Sequence, residues 1–157
     1  FEGYWKDVGT LSSLWEANMD LLGEKPEFDL SDEKWRIFTR HETLAPQFVG
    51  KGAEITNSIV AEGCEIYGKV ENSVLFPGVK VLEGAVVRDA VVMGGTVIGE
   101  GATVSYSILD TNVVIGKNAV VGGAKGDSEG VAVIGDAEVI ADGANVGAGV
   151  MIPDVRK

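Results

Sequence analysis

From Val49 onward, aliphatic residues recur at 49, 55, 60, 66, 70, 75, 81, 87, 92, 98, 104, 109, 115 and 121, with almost every step five or six positions. The residue two places before each, from Ile55 on, is small: Ala53, Ser58, Cys64, Gly68, Ser73, Val79, Ala85, Ala90, Thr96, Ala102, Ser107, Val113 and Ala119. In a strand, residues i and i−2 point to the same side. Each short segment therefore turns one aliphatic and one small side chain inward. Such segments enclose a narrow tube and cannot form a sandwich. The sequence also aligns with itself. Ile55-Thr-Asn-Ser-Ile-Val60 returns as Val70-Glu-Asn-Ser-Val-Leu75, Val87-Arg-Asp-Ala-Val-Val92 and Val104-Ser-Tyr-Ser-Ile-Leu109. The copies begin at positions 55, 70, 87 and 104. Three segments thus make a coil of 17, and the first coil is shorter by two around Gly68.

The glycines keep the same register. Gly52, Gly84 and Gly101 each follow an aliphatic position by three, and Asn118 takes that place in the next coil. Gly63, Gly78 and Gly95 mark a second corner, which Asn112 continues. Gly and Asn tolerate positive φ best, so these are left-handed corners. The pattern is a hexapeptide repeat, and it predicts a mainly β fold, a parallel β-helix of triangular section. The resemblance to hexapeptide-repeat proteins implies a left-handed coil, against the usual right-handed crossover. The repeat breaks at a Gly-rich loop over 122–130 and resumes with Ile134, Ile140, Val146 and Ile152. In that register Glu138 takes a small interior place, whereas Val139 with Ala137 fits a register one position earlier. Residues 153–157 read as a charged tail.

Residues 1–48 follow other rules. Thr10 is positioned to cap a helix running through Leu22, with Leu11, Leu14, Trp15, Asn18 and Leu22 on one face. Gly23 and Pro26 end it. The rest is an irregular connection in which Trp35, Ile37 and Phe38 form a short strand or anchor. Three regions result: 1–25, a short strand-helix unit; 26–48, a connector; and 49–157, the repeat.

Composition adds limits. The chain has 157 residues, 22 glycines and 11 aromatics, eight of them before Val49, so the core of the repeat is aliphatic. A net charge of −11 without a basic run disfavours nucleic acid and anionic membranes as partners. No apolar run is long enough to span a bilayer. Cys64, the single cysteine, cannot form an internal disulfide, which suits the cytoplasm, and its register makes it a packing residue. His41, the single histidine, precedes the first coil; the general base of a hexapeptide acyltransferase would lie on a coil. By chemistry Asp7 can bind a divalent cation through oxygen, although a lone carboxylate makes no metal site.

Both halves together resemble bacterial-type glucose-1-phosphate adenylyltransferase, also called ADP-glucose pyrophosphorylase. The residues responsible are Gly3-Tyr-Trp-Lys-Asp-Val-Gly-Thr10, Leu14-Trp-Glu-Ala-Asn-Met-Asp-Leu-Leu22, Trp35-Arg-Ile37, Asn57-Ser-Ile-Val-Ala-Glu-Gly-Cys64 and Ser73-Val-Leu-Phe-Pro-Gly78. The resemblance implies an enzyme that makes ADP-glucose and pyrophosphate from ATP and glucose 1-phosphate for glycogen synthesis, with Mg²⁺ neutralising the accumulating charge. It implies that Asp7 is a metal ligand and that Tyr4, Trp5 and Gly9 support the site floor. It makes residues 1–25 the last strand and helix of a catalytic domain whose nucleotide-binding loop lies upstream. The chain is then the C-terminal part of the enzyme, inactive alone. It carries no catalytic residue of its own. The β-helix would serve homo-oligomer contact and effector response. Lys51, Lys69, Lys80, Arg88, Lys117 and Lys125 are spread over the coils as solvated cations, and Thr111 stands where some regulated relatives carry a cation. Alternatives are a non-catalytic regulatory paralogue, another sugar-phosphate nucleotidyltransferase and a hexapeptide acyltransferase. With the catalytic sheet absent, Leu14, Trp15 and Leu22 are expected to lack cover, making residues 1–30 the least ordered part.

Overall fold

The computed structural model describes residues 2–30, 32–34 and 43–153. Helix α1 (Leu11–Met19) precedes sixteen short strands among the described residues. Every strand pair is parallel. The chain winds as a β-solenoid of about six coils with three faces. On the first face the outward column runs Phe48, Glu65, Lys80, Val97, Val114, Val139. The other two faces merge into one ten-stranded sheet. They join because two long strands, Val86–Val92 and Thr103–Leu109, bend around the corner between them.

The interior is the predicted alternation. Ile66, Val70, Leu75, Val81, Val87, Val92, Ile98, Val104, Leu109, Ile115 and Val121 are buried, stacked on their counterparts in adjacent coils. The small column is buried as well, from Cys64 through Ala119. Val49 and Ile55 remain 47% and 37% exposed, because no described coil stacks in front of them. Buried hydroxyls in the small column have partners. Ser73 Oγ donates to the Glu71 carbonyl at 2.7 Å and accepts the Ala90 amide at 3.1 Å. Thr96 Oγ1 donates to the Asp110 carbonyl at 2.8 Å and accepts the Val113 amide at 3.2 Å. Each hydroxyl thus stitches one coil to the next and leaves no orphaned donor.

The register details follow from the corners. Glu54 pairs with Lys69, and Lys69 with Val86, so the first step between coils is shorter by two than the second. The short coil closes at Gly68, where a Cβ would collide with the Ala85 carbonyl. Beyond the loop, Ile115 pairs with Ile140 and Val121 with Val146, a step longer by eight than a regular coil. The open register after residue 133 resolves in favour of Ile140. Ile140 is 5% exposed, Val139 is 67% exposed, and Ala137 (φ 56°) takes the corner place of Gly95 and Asn112.

Three expectations are corrected. The helix ends at Met19 instead of Leu22, with Asp20 as C-cap. Past that point the amides of Leu21 and Leu22 bond three positions back, to Asn18 and Met19, so the turn tightens and stops. No strand forms over residues 2–9, which have no ladder partner. The helix is also not left without cover: Trp15 is 6% exposed, packed with Val91, Ile108 and Val131 on the outside of the third face. The expected anchor of Trp35, Ile37 and Phe38 falls outside the described residues, as do His41 and all but the first residue of the charged tail.

Candidate functional site

The segment Tyr4–Gly9 is shaped by its own side chains. Asp7 is exposed, and its Oδ1 accepts the Gly9 amide at 3.0 Å. This turn leads into the cap. Thr10 is extended (φ −129°, ψ 159°), and its hydroxyl accepts the Ser13 amide at 3.1 Å. Ser13 Oγ accepts the Thr10 amide at 3.0 Å in return, closing a reciprocal capping box. At the other end of the helix, Asp20 Oδ2 accepts Lys6 Nζ at 2.7 Å and the Tyr4 hydroxyl at 3.0 Å. Lys6 also lies 3.4 Å from Glu16. The Asp20 hydrogen bond holds the Lys6 ammonium above its usual range. Burial, then the Asp20 hydrogen bond, raises the Tyr4 phenol. Residues 4–10 are therefore tied to α1 from both ends.

The helix is in turn tied to the solenoid. Trp15 Nε1 donates to the Asp89 carbonyl at 2.8 Å, and the Tyr106 ring meets the indole edge-on, centroids 4.9 Å apart. Asp89 and Tyr106 sit at φ 48° and 45° on the corner between the second and third faces, in line with Asn57 and Asn72. Lys125, from the 122–130 loop, reaches 3.6 Å from Asp89 Oδ1 and 5.3 Å from the Trp15 ring centre.

The structure brings some expected residues together and separates others. Asp7 and Gly9 share one turn, whereas Tyr4 is bound to Asp20 at the far end of α1. Trp5 is 74% exposed. Among the described residues no group of three His, Cys, Asp or Glu side chains could hold a metal. Asp7 Oδ2 is left over from the turn, so it suits one ligand position of a site completed by other groups. Cys64 is fully buried, its Sγ 3.2 Å from the Phe76 carbonyl, and burial pushes its thiol up, which suits packing and not nucleophilic attack. Five of the six cations are paired with acids: Lys69 with Glu54, Lys80 with Glu65, Arg88 with Glu71, Lys117 with Glu100, and Lys125 with Asp89. Thr111 donates to Asp136 at 2.8 Å, beside Asp110, and this acidic corner is unsuited to an anion. Among the described residues no helix is long and apolar enough to cross a membrane.

Sequence reasoning missed the docking ground of Trp15. Its signal is the doublets Val74-Leu75, Val91-Val92, Ile108-Leu109 and Val133-Ile134, where one aliphatic too many for the interior recurs on one face. The first of each doublet faces out, and Val91 and Ile108 line the helix seat.

Comparison with known proteins agrees with this geometry. The family model described as GlmU-like, C-terminal hexapeptide, matches residues 44–134. A glucose-1-phosphate adenylyltransferase of Clostridium perfringens (strain SM101 / Type A) is 58% identical over 90 residues, 57% of this chain and 23% of that protein. One from Geobacillus stearothermophilus is 57% identical over 88 residues, 56% of this chain and 23% of that protein. One from Thermosipho melanesiensis is 50% identical over 88 residues, 56% of this chain and 21% of that protein. The matched part is thus under a quarter of each relative's length.

Proposed function

The chain belongs to the GlmU-like, C-terminal hexapeptide family, and from that membership we propose that it forms the back part of an enzyme joining ATP and glucose 1-phosphate into ADP-glucose and pyrophosphate. The observation that carries this reading is the identity of half or more of the aligned residues to glucose-1-phosphate adenylyltransferases of several bacteria. The N-terminal motif supports it as well. Tyr4–Thr10 is shaped into a turn that presents Asp7 to solvent while its neighbours are pinned to α1. In the whole enzyme Asp7 would be one carboxylate ligand of Mg²⁺, with Gly9 keeping the turn open and Tyr4 fixing the segment to α1 through Asp20. The metal supplies charge neutralisation on the phosphates. The solenoid holds the helix that carries this segment, and the reaction is cytoplasmic.

The test uses the complete protein. It should release pyrophosphate from ATP and glucose 1-phosphate, and Asp7→Asn should lower kcat by about 10²-fold or more, the scale of losing one preorganised electrostatic contact. A complete protein that prefers another nucleotide or sugar phosphate would replace this reading with a different nucleotidyltransferase. Full activity in the Asp7→Asn enzyme would remove Asp7 from the metal site.

Self-association through the coils belongs to the same reading. Val114 and Val139, adjacent on the outer side of the first face, are 39% and 67% exposed. Val139→Lys should shift sedimentation toward a smaller species. An unchanged sedimentation coefficient would place subunit contact elsewhere.

A further inference from the structure

The corner column begins as a polar ladder and then changes character. Asn57 Nδ2 donates to Asn72 Oδ1 at 2.6 Å. The next member is Asp89, which is 8% exposed. Its Oδ1 is buried and accepts no hydrogen bond. A carboxylate in that state is costly unless a cation stands by. Lys125 is that cation, 3.6 Å away. The same ammonium lies over the face of Trp15, whose Nε1 is held by the Asp89 carbonyl. One corner residue therefore grips the helix through its backbone and the loop through its side chain.

The origin of Lys125 gives this contact its meaning. The corner column advances by one regular coil from Asp89 to Tyr106. Its next member would fall at residue 123, where the chain instead departs into the extra loop. That loop is not loose. Asp127 and Gly130 amides close successive turns onto the Ala124 and Asp127 carbonyls, each at 3.0 Å. The Gly149 amide then ties the Gly130 carbonyl to the last coil, also at 3.0 Å. The interruption of the repeat thus delivers one lysine to the buried carboxylate of the helix seat.

We propose that the 122–130 loop is a clasp, in which Lys125 neutralises Asp89 and covers Trp15, fixing α1 and the segment ahead of it to the third face of the solenoid. An ordinary surface ion pair would do little. This one differs because the acid side chain is 11% exposed and the cation is shared with an indole ring. The clasp does not depend on what Asp7 binds. It makes Lys125 a positioning residue for the N-terminal segment, acting through Asp89 and Trp15.

Amide hydrogen exchange on this chain tests it. Lys125→Met keeps length and removes charge. The amides of residues 14–19 should exchange about tenfold faster, with the coil amides unchanged. Lys125→Arg should restore protection. In an Asp89→Asn background, Lys125→Met should change helix exchange less than about threefold, since the buried charge is gone. Unchanged helix exchange in Lys125→Met would overturn the clasp. So would equal acceleration of helix and coils, or an undiminished effect of Lys125→Met in the Asp89→Asn background.

Discussion

Ser73 shows what one interior hydroxyl does in a tube this narrow. It gives a proton to the Glu71 carbonyl and receives one from the Ala90 amide, a full coil away. Alanine would fill nearly the same space and leave the Ala90 donor buried without a partner. Ser73→Ala should therefore cost about 1–3 kcal/mol in urea unfolding, the desolvation penalty of an unmade hydrogen bond. Surface pairs behave differently. Glu65 and Lys80 meet at 2.7 Å across adjacent coils on the first face. The hydrogen bond and charge of Lys80 lower the Glu65 carboxyl below its ordinary 4.5, and Glu65 raises Lys80 above 10.5. The Glu65 contribution is present above pH 4.5 and is lost as pH falls through its depressed value. The Lys80 contribution is present below pH 10.5 and fades as pH rises through its elevated value. A carboxyl NMR titration should find Glu65 ionising below 4.5, and Lys80→Met should return it to the ordinary range. Both groups are exposed to water, so global stability should scarcely move.

At the scale of elements, the helix and the coils are stabilised in different ways. The coils stack on one another, so each inward column supports its neighbours. The helix, barely more than two turns, is too short to persist in water by propensity alone. Its order depends on Trp15, buried against Val91, Ile108 and Val131. Trp15→Ala should remove about 3–5 kcal/mol of docking. Far-UV circular dichroism should lose its helical component while the main thermal transition of the coils shifts little. The coils were legible in the sequence because a period-two strand inside a regular coil repeats often enough to be checked against itself. The Gly-to-Asn exchanges at 112 and 118 were legible for the same reason, since each is a corner whose positive φ recurs, and Gly68 was legible as the place where the repeat runs two residues short. The helix seat was not. Trp15 has no counterpart in a repeat, its partners lie far along the chain, and its contact with Asp89 is to a backbone carbonyl, which no side-chain pattern records. Tyr106 at φ 45° was hidden too, because its column is otherwise Asn and Asp and an aromatic there breaks the rule. It is tolerated where its ring closes against Trp15.

At the scale of the whole molecule, the candidate site divides into a part that is held and a part that must be met from outside. A divalent cation of the magnesium type takes about six oxygens in near-octahedral array. This chain offers Asp7, one of whose two oxygens is already engaged by Gly9. Among the described residues no group of three His, Cys, Asp or Glu side chains is placed to complete such a site. Five of the six cations on the coils are paired with acids, and the chain carries a net charge of −11, which opposes ATP binding. The chain by itself should therefore release no pyrophosphate from ATP and glucose 1-phosphate with Mg²⁺, even at high concentration, in a coupled phosphate assay. Asp7→Asn in this chain should leave its fold and thermal transition unchanged, since Asp7 is exposed and its hydrogen bond to the Gly9 amide stays within a local turn. Measurable turnover by the chain alone would mean that the solenoid holds a complete active site.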